Sequence, residues 1–393
     1  MMERHRSLFI ATLVLLSAVV LLFLIIRKAA HQTPLQAVTN LPDSLVLAVL
    51  PGVVYTADLS SPGKFLIHRL AIQQPKLQTI AILQGNVTPI YSENNMLYAL
   101  YFPAITPTRP SAKIITISLQ NGKTETLLPN FNPIISLGHE QLYPVAANDH
   151  AIYWLTAQVP TTKHRFALIR MNLPSRQTAT LAQNIPNARQ IFCLPPYIGI
   201  LQEWPTHQTR TVIQRTASRI RIFRNSLCLF DDNGKAIGQI DAYNSQYPPI
   251  LYEGNFYWIQ NVFEPWNNST FPDHYRIVYA NLSEKAIHVL EELPAVGNAP
   301  LQLYVYGSHL YMAQSNTLGA TRIWRYIPRP GGFELLFQIT THTTSQLLFR
   351  GPNCYFVQCT NHTNWFNWSH SALYGQTQFT LYRFPLNREN DHA

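Results

Sequence analysis

Residues 88–128 read TPIYSENNMLYALYFPAITPTRPSAKIITISLQNGKTETLL, and their grammar decides the fold. TPIYS runs into a turn at Glu93-Asn94-Asn95, MLYALYF follows, and a Pro-rich stretch then leads to AKIITISL. Asn121-Gly122 comes next, a pair that supplies the positive φ angles of a two-residue hairpin, and TETLL completes the unit. Apolar and polar residues alternate along each piece, the period of a strand rather than a helix. The order is therefore strand, tight turn, strand, long loop, strand, tight turn, strand.

The same order recurs on both sides. QLYPVAA, Asn148-Asp149, AIYWLTA, RFALIRMNL and TATLAQ repeat it, as do LQLYVY, Gly307-Ser308, HLYMAQS, RIWRYIP and FELLFQI. Tyr55, Tyr98, Tyr153, Ile200, Tyr257, Tyr311 and Tyr355 mark the second strand of seven such units, about 50 residues apart on average, near the length of a four-stranded propeller blade. A lone four-stranded sheet exposes an apolar face; radial packing of several covers it. In period and strand grammar, residues 42–386 resemble seven-bladed β-propellers of the broad WD-repeat and TolB-like kind. The resemblance implies an all-β, seven-bladed β-propeller and no activity, because neither a Gly-His…Trp-Asp signature nor an aspartate-box repeat is present.

Composition agrees. The 393 residues are 47% hydrophobic and only 12% charged, with 20 Tyr, 19 Phe and 7 Trp, far too much apolar material for disorder. The net charge of +9 is dilute over such a surface and points to a mild preference for anions, not to nucleic acid.

Before the first unit, Leu8 to Ile26 form an apolar run broken only by Thr12 and Ser17. Nineteen helical residues span about 28 Å, the thickness of a bilayer core. The run is longer than the apolar core of a signal peptide, and Arg27 and Lys28 occupy the place of a small-residue cleavage site. The expectation is an uncleaved transmembrane α-helix at 7–26 after a short cytoplasmic segment 1–6, then a linker 27–41, the propeller 42–386 and a polar tail 387–393. Large domains translocate regardless of flanking charge, and four cysteines with six Asn-x-Ser/Thr triplets (from Asn86 to Asn367) lean toward a periplasmic or extracellular propeller. The last unit has only three strands of its own, so Leu35 to Leu41 is expected to pair near Thr380 to Phe384 as the fourth.

Long loops join second to third strands and emerge on one face, the usual place for binding on a rigid scaffold. Arg210, Arg215, Arg219, Arg221 and Arg224 fall in one of them, with no acid between Glu203 and Asp231. They read as an anion-contact patch, or as a solvated hairpin, since TVIQRTASRIRIF alternates like a strand. Trp204 and Trp266 with His274, and His362, Trp365, Trp368 and His370 in the last unit, pair aromatic plates with hydrogen-bonding edges. That combination suits carbohydrate or peptide stacking, or loop self-packing. Glu203, Glu264 and Asp273 are the acids of the long loops, and the last two could form a hydrolytic carboxylate pair. No nucleophile, phosphate-loop, zinc or metal-ligand spacing occurs, so neither cofactor nor metal is expected. Cys193 and Cys228 could meet across the fourth unit, or all four cysteines could be buried thiols. The reading that follows is a binding or scaffold module whose partner is a protein, a glycan or an anionic ligand, with the bilayer held through residues 7–26. Its rivals are an anchored glycan hydrolase or lyase and a structural subunit of an envelope complex.

Overall fold

The computed structural model describes residues 36–386, with breaks at 42–44, 59–62, 74–75, 104–111, 132–134, 138–139, 143, 159–164, 214–216, 244, 246–247, 265–271, 284–285, 295–300, 316–319, 329–331, 341–343 and 360–378. The segments expected as cytoplasmic residues 1–6, membrane helix 7–26 and tail 387–393 lie outside the described residues. No helix among those described is long and apolar enough to cross a membrane.

The described chain is all-β. Strands Leu45–Leu50, Val53–Asp58 and Lys64–Ala71 lead into the 17-residue strand Leu77–Glu93. Its first half pairs with Lys64–Ala71 as the outer strand of unit 1, and its second half pairs with Met96–Pro103 as the inner strand of unit 2. Gly85 marks the crossing: its φ is 128°, and a Cβ there would sit 2.1 Å from the Phe102 carbonyl oxygen. Unit 2 continues with Ala112–Ser118 and Thr124–Phe131. Unit 3 runs Val145–Ala147, Ala151–Ala157, Arg165–Asn172, Thr178–Pro186, and unit 4 runs Ala188–Leu194, Tyr197–Ile213, Ala217–Phe230, Ala236–Asp241. Unit 5 comprises Ile250–Tyr252, Asn255–Val262, His274–Ala280 and Ile287–Pro294, and unit 6 comprises Leu301–Tyr306, His309–Ser315, Ala320–Ile327 and Gly332–Thr340. Unit 7 has Thr344–Arg350, Asn353–Cys359, Phe379–Pro385 and, as its outer strand, Gln36–Leu41.

One inner strand departs from expectation. QLYPVAA is not continuous: Glu140–Leu142 pairs with Ile135–Leu137, and only Val145–Ala147 joins unit 3. Pro144, which has no N–H to give a ladder, stands between them.

The expected borrowed strand is present. Gln36 pairs with Arg383, Asn40 with Thr380 and Leu41 with Phe379, and the Thr380 hydroxyl bonds the Asn40 side-chain oxygen at 3.0 Å. Its equivalence to the other outer strands goes further. A register shift interrupts the pairing of third and outer strands in every unit: at Ile67/His68, Ile114/Ile115, Leu168/Ile169, Leu229/Phe230, Ile277/Val278, Ile323/Trp324 and, on the borrowed strand, Ala37/Thr39. A bulge sharpens local twist, so each outer strand turns relative to the inner three.

Apolar clusters join each unit to the next. Phe131 meets Trp154 edge-on at 5.7 Å between units 2 and 3, and Trp258 packs against Tyr243 at a tilt of 37° between units 4 and 5. Leu41, Val357 and Leu381 of unit 7 pack on Val46, Val49 and Val54 of unit 1, so the array of sheets closes on itself in the β-propeller manner. Turns of one unit also reach the outer strand of the one before. Gly122 lies on the Ile80 carbonyl, Gly234 on that of Leu181, and Leu282 on Gly238. A Cβ on Gly234 would come within 2.1 Å of the Leu181 oxygen, whereas one on Gly254 would meet nothing within 4 Å, although both glycines have φ near 80°. Gly234→Ala is therefore expected to destabilise by about 2–3 kcal/mol in denaturant titrations, and Gly254→Ala by about 1 kcal/mol, the backbone penalty alone. Equal effects would remove the close approach from the account.

Candidate functional site

Each unit presents two unlike ends. First-to-second and third-to-outer turns lie at the tight-turn end; second-to-third connections lie at the long-loop end. The longest described feature of the latter belongs to unit 4, whose second and third strands stay paired from Ile198↔Phe230 out to Ile213↔Ala217. The stretch from Trp204 to Asn225, read as a loop or as a hairpin, is thus a two-stranded ribbon with one irregularity between Pro205 and Thr209. Its register sets Arg221 opposite Thr209, Arg219 opposite Thr211 and Arg210 opposite Ile220. Arg224 lies opposite Trp204 at the ribbon's base, 3.8 Å from the Asp241 carboxylate, and both charged side chains are exposed, a pair of little energetic weight. Trp204 is 38% exposed. Arg215, Trp266, His362, Trp365, Trp368 and His370 lie outside the described residues.

The loop acids hold structure. Arg189 at the start of the first strand of unit 4 donates to the largely buried Glu203 midway along the second. The Asp273 carboxylate accepts the Glu264 N–H at 2.8 Å, while the Asp273 N–H reaches the Val262 carbonyl at 2.9 Å. This closes the neck of the loop between the second and third strands of unit 5. Of the two acids that could form a hydrolytic pair, Asp273 has its carboxylate so engaged.

Below the loops lies a band of buried polar groups that sequence reading missed. Gln202 is 3% exposed, donates to the Pro186 carbonyl at 2.8 Å and accepts from Ser226 and Cys228. It links unit 4 to the end of unit 3. Gln314 occupies the corresponding place in unit 6 at 4% exposure, yet its amide nitrogen has no hydrogen-bond partner. His274 Nε2 and Asn225 Oδ1, at long-loop strand ends of units 5 and 4, are likewise buried and unpartnered. The signal was available: Gln202, Gln260, Gln314 and Gln358 recur near the end of the second strand in units 4 to 7.

Cys193 and Cys228 do not bond to each other; both are free thiols, as is Cys354. They sit on strands flanking Tyr197–Ile213, two strand spacings or about 10 Å apart, beyond disulfide reach. Burial pushes the Cys193 thiol up to about 12 and that of Cys228 up to about 11, with Asp232 and Asp241 respectively adding to it. No cluster of metal-ligating side chains occurs among the described residues.

No family model and no curated protein matches the chain. Among solved structures it is similar to the β-propeller domain of the Trilobed protease from Pyrococcus furiosus (9% identity over 91% of this chain and 98% of that one, TM-score 0.46). It is also similar to TolB from Acinetobacter baumannii (10%, 74% and 64%, TM-score 0.40) and to the Pyrococcus horikoshii acylaminoacyl peptidase (11%, 69% and 42%, TM-score 0.45). The chain spans less than half the length of that peptidase.

Two outcomes follow from these side chains. Gln314→Met removes an unpaired buried amide and should leave denaturant stability unchanged or raise it by about 1 kcal/mol. Gln202→Met strands its partners and should lower stability by about 2 kcal/mol. Because the folded state raises the Cys193 and Cys228 pKa values above the ordinary 9.0, it favours the neutral thiols. Their contribution is complete below pH 9 and lost as pH rises toward about 11 and 12. Iodoacetamide at pH 8 should therefore leave both unlabelled in the native protein and label both in urea, as read by mass spectrometry.

Proposed function

We propose that the chain is a membrane-anchored, extracytoplasmic binding or scaffold module: a seven-bladed β-propeller, one blade per unit, held to the bilayer by a helix over residues 7–26. The observation that carries this reading is the division of labour between a closed array of sheets and its long-loop end. The sheets are apolar through every joint. At the long-loop end the ribbon of unit 4 projects, and His274, Gln314 and Asn225 leave buried polar atoms open. A rigid frame with its irregular chain gathered at one end suits recognition. The outer strand of unit 7 supports the orientation. Its first residue, Gln36, pairs with Arg383, two residues from Pro385, which faces Asn353 at the tight-turn end. Chain arriving from a helix at 7–26 enters at that end, and the long-loop end then faces away from the bilayer.

The ligand class is an anionic or glycan surface, or a protein that presents one, met by Trp204, Arg210, Arg215, Arg219, Arg221 and Arg224 of the ribbon. The engagement of the Asp273 carboxylate by the Glu264 N–H favours binding over glycan hydrolysis. The test is the full chain in neutral detergent on immobilised heparin, against a variant with the five arginines changed to Gln. Retention should fall, and its dependence on salt should flatten, since exposed charges act through a screened field. Equal retention of the two proteins would overturn the anionic part of the reading. Turnover of chromogenic glycosides by the unaltered chain would overturn the non-enzymatic part.

A further inference from the structure

The end opposite the long loops contains a cavity of about 590 Å³ where units 7, 1 and 2 come together. Arg69, from the end of the third strand of unit 1, and Arg350, from the first turn of unit 7, both line it. Asn94 and Asn95 from the turn of unit 2, and Gln120 from its next turn, add amides. Tyr55, 3% exposed, contributes to the wall. No acid is among the described lining residues. The nearest in sequence, Glu93, is taken by the Tyr91 hydroxyl. Both arginines are half-buried, and neither has a carboxylate partner among the described ion pairs. Cations partly withdrawn from water without a counter-charge favour an anion beside them, and guanidinium forks match phosphate oxygens with two parallel bonds. The volume lies within the range of small-ligand pockets and exceeds what a bare ion fills. Leu50 and Val53 supply an apolar side to it.

The position names the ligand's source. Arg350 pairs with Asn353, which faces Pro385, so the cavity opens at the end of unit 7 where Gln36 enters the sheet. Between a helix ending at Ile26 and Gln36 lie nine residues, which reach at most about 32 Å when fully extended. This step rests on the anchoring proposed above; the charge chemistry of the cavity does not. We propose that the cavity binds the phosphate-bearing headgroup of a membrane lipid, taking its phosphate between Arg69 and Arg350 and its polar remainder against Asn94, Asn95 and Gln120. Bound so, the lipid would hold the tight-turn end against the bilayer and keep the ribbon pointing outward.

The experiment uses the full chain in dodecyl maltoside micelles, with two arms. In the first, thermal unfolding is followed with sodium phosphate against sodium chloride at equal ionic strength. In the second, native mass spectrometry counts lipid retained from micelles containing equal phosphatidylglycerol and phosphatidylcholine. The expected results are a rise in unfolding temperature with phosphate and selective retention of one phosphatidylglycerol. Arg69→Gln and Arg350→Gln should each weaken both by about tenfold. Asn94→Asp keeps the turn, because aspartate tolerates the positive φ of 48° found there, and should abolish both by placing a like charge in the cavity. It decides the matter if an arginine variant fails to fold. No response to phosphate and no lipid selectivity, or responses that all three variants retain, would overturn the site. A phosphate response lost in the variants without lipid retention would overturn the lipid source and leave a site for soluble phosphate. Release of the chain from membranes by alkaline carbonate would overturn the anchoring, while the phosphate arm still judges the cavity.

Discussion

Each four-stranded unit among the described residues is apolar on both faces, and no helix among those residues covers either. Strand alternation makes this unavoidable. In Val53–Asp58, Tyr55 packs toward unit 2 and Val54 toward unit 7. In Ala151–Ala157, Tyr153 and Leu155 face unit 4, while Ile152 and Trp154 face unit 2. In His309–Ser315, Tyr311 and Ala313 face unit 7, while Met312 faces unit 5. No unit can serve as an end cap, because each would expose fully buried aromatic or aliphatic side chains worth about 1.5–3 kcal/mol apiece. A closed array is the arrangement that leaves no face open, and the low charge content fits a chain with so much of its surface turned inward.

Closure has geometric requirements that the apolar contacts do not meet alone. Inner strands crowd together while outer strands spread, so each sheet must twist between centre and rim. The repeated bulge between third and outer strands supplies that twist in all seven units, including the one completed by Gln36–Leu41. At the rim, glycines at 122 and 234 let a turn approach the neighbouring strand's carbonyls. This frame then separates two kinds of site. Long connections gather at one end with their polar band, and short turns from three different units meet at the other around Arg69 and Arg350.

How much of this was legible follows from the range of each signal. Local alternation and turn pairs such as Asn121-Gly122 disclose the units, because both are encoded within ten residues. The missing fourth strand of unit 7 was legible by elimination. The ribbon was half legible: its arginines were visible as a cluster, but the continuous pairing out to Ile213 with Ala217 depends on both strands at once. The bulges left no mark, since a one-residue slip between strands depends on both partners. The cavity was invisible for a plainer reason. Arg69, Asn94 and Arg350 come from three different units, and each looks alone like an ordinary residue near a turn. Cys193 and Cys228 left two readings open, and the register decides between them: the strand that lies between the two holds them apart as free thiols.

The borrowed strand also sets a timetable. Thr380 and Asn40 are 340 positions apart, and Arg383 and Gln36 are 347, so the first described strand pairs with the last described one. At synthesis rates of about 5–20 residues per second, Gln36–Leu41 waits roughly 20–70 s for its neighbour. Throughout that interval the outward faces of the first and latest units are open to the wrong partners. The composition of the waiting segment answers part of the hazard. QAVTNL carries three polar residues in six, whereas its neighbour LVLAVL carries none. The strand obliged to stay single longest is thus among the poorer seeds for aggregation. The same low stickiness makes completion of the fold contingent on arrival of Phe379–Pro385.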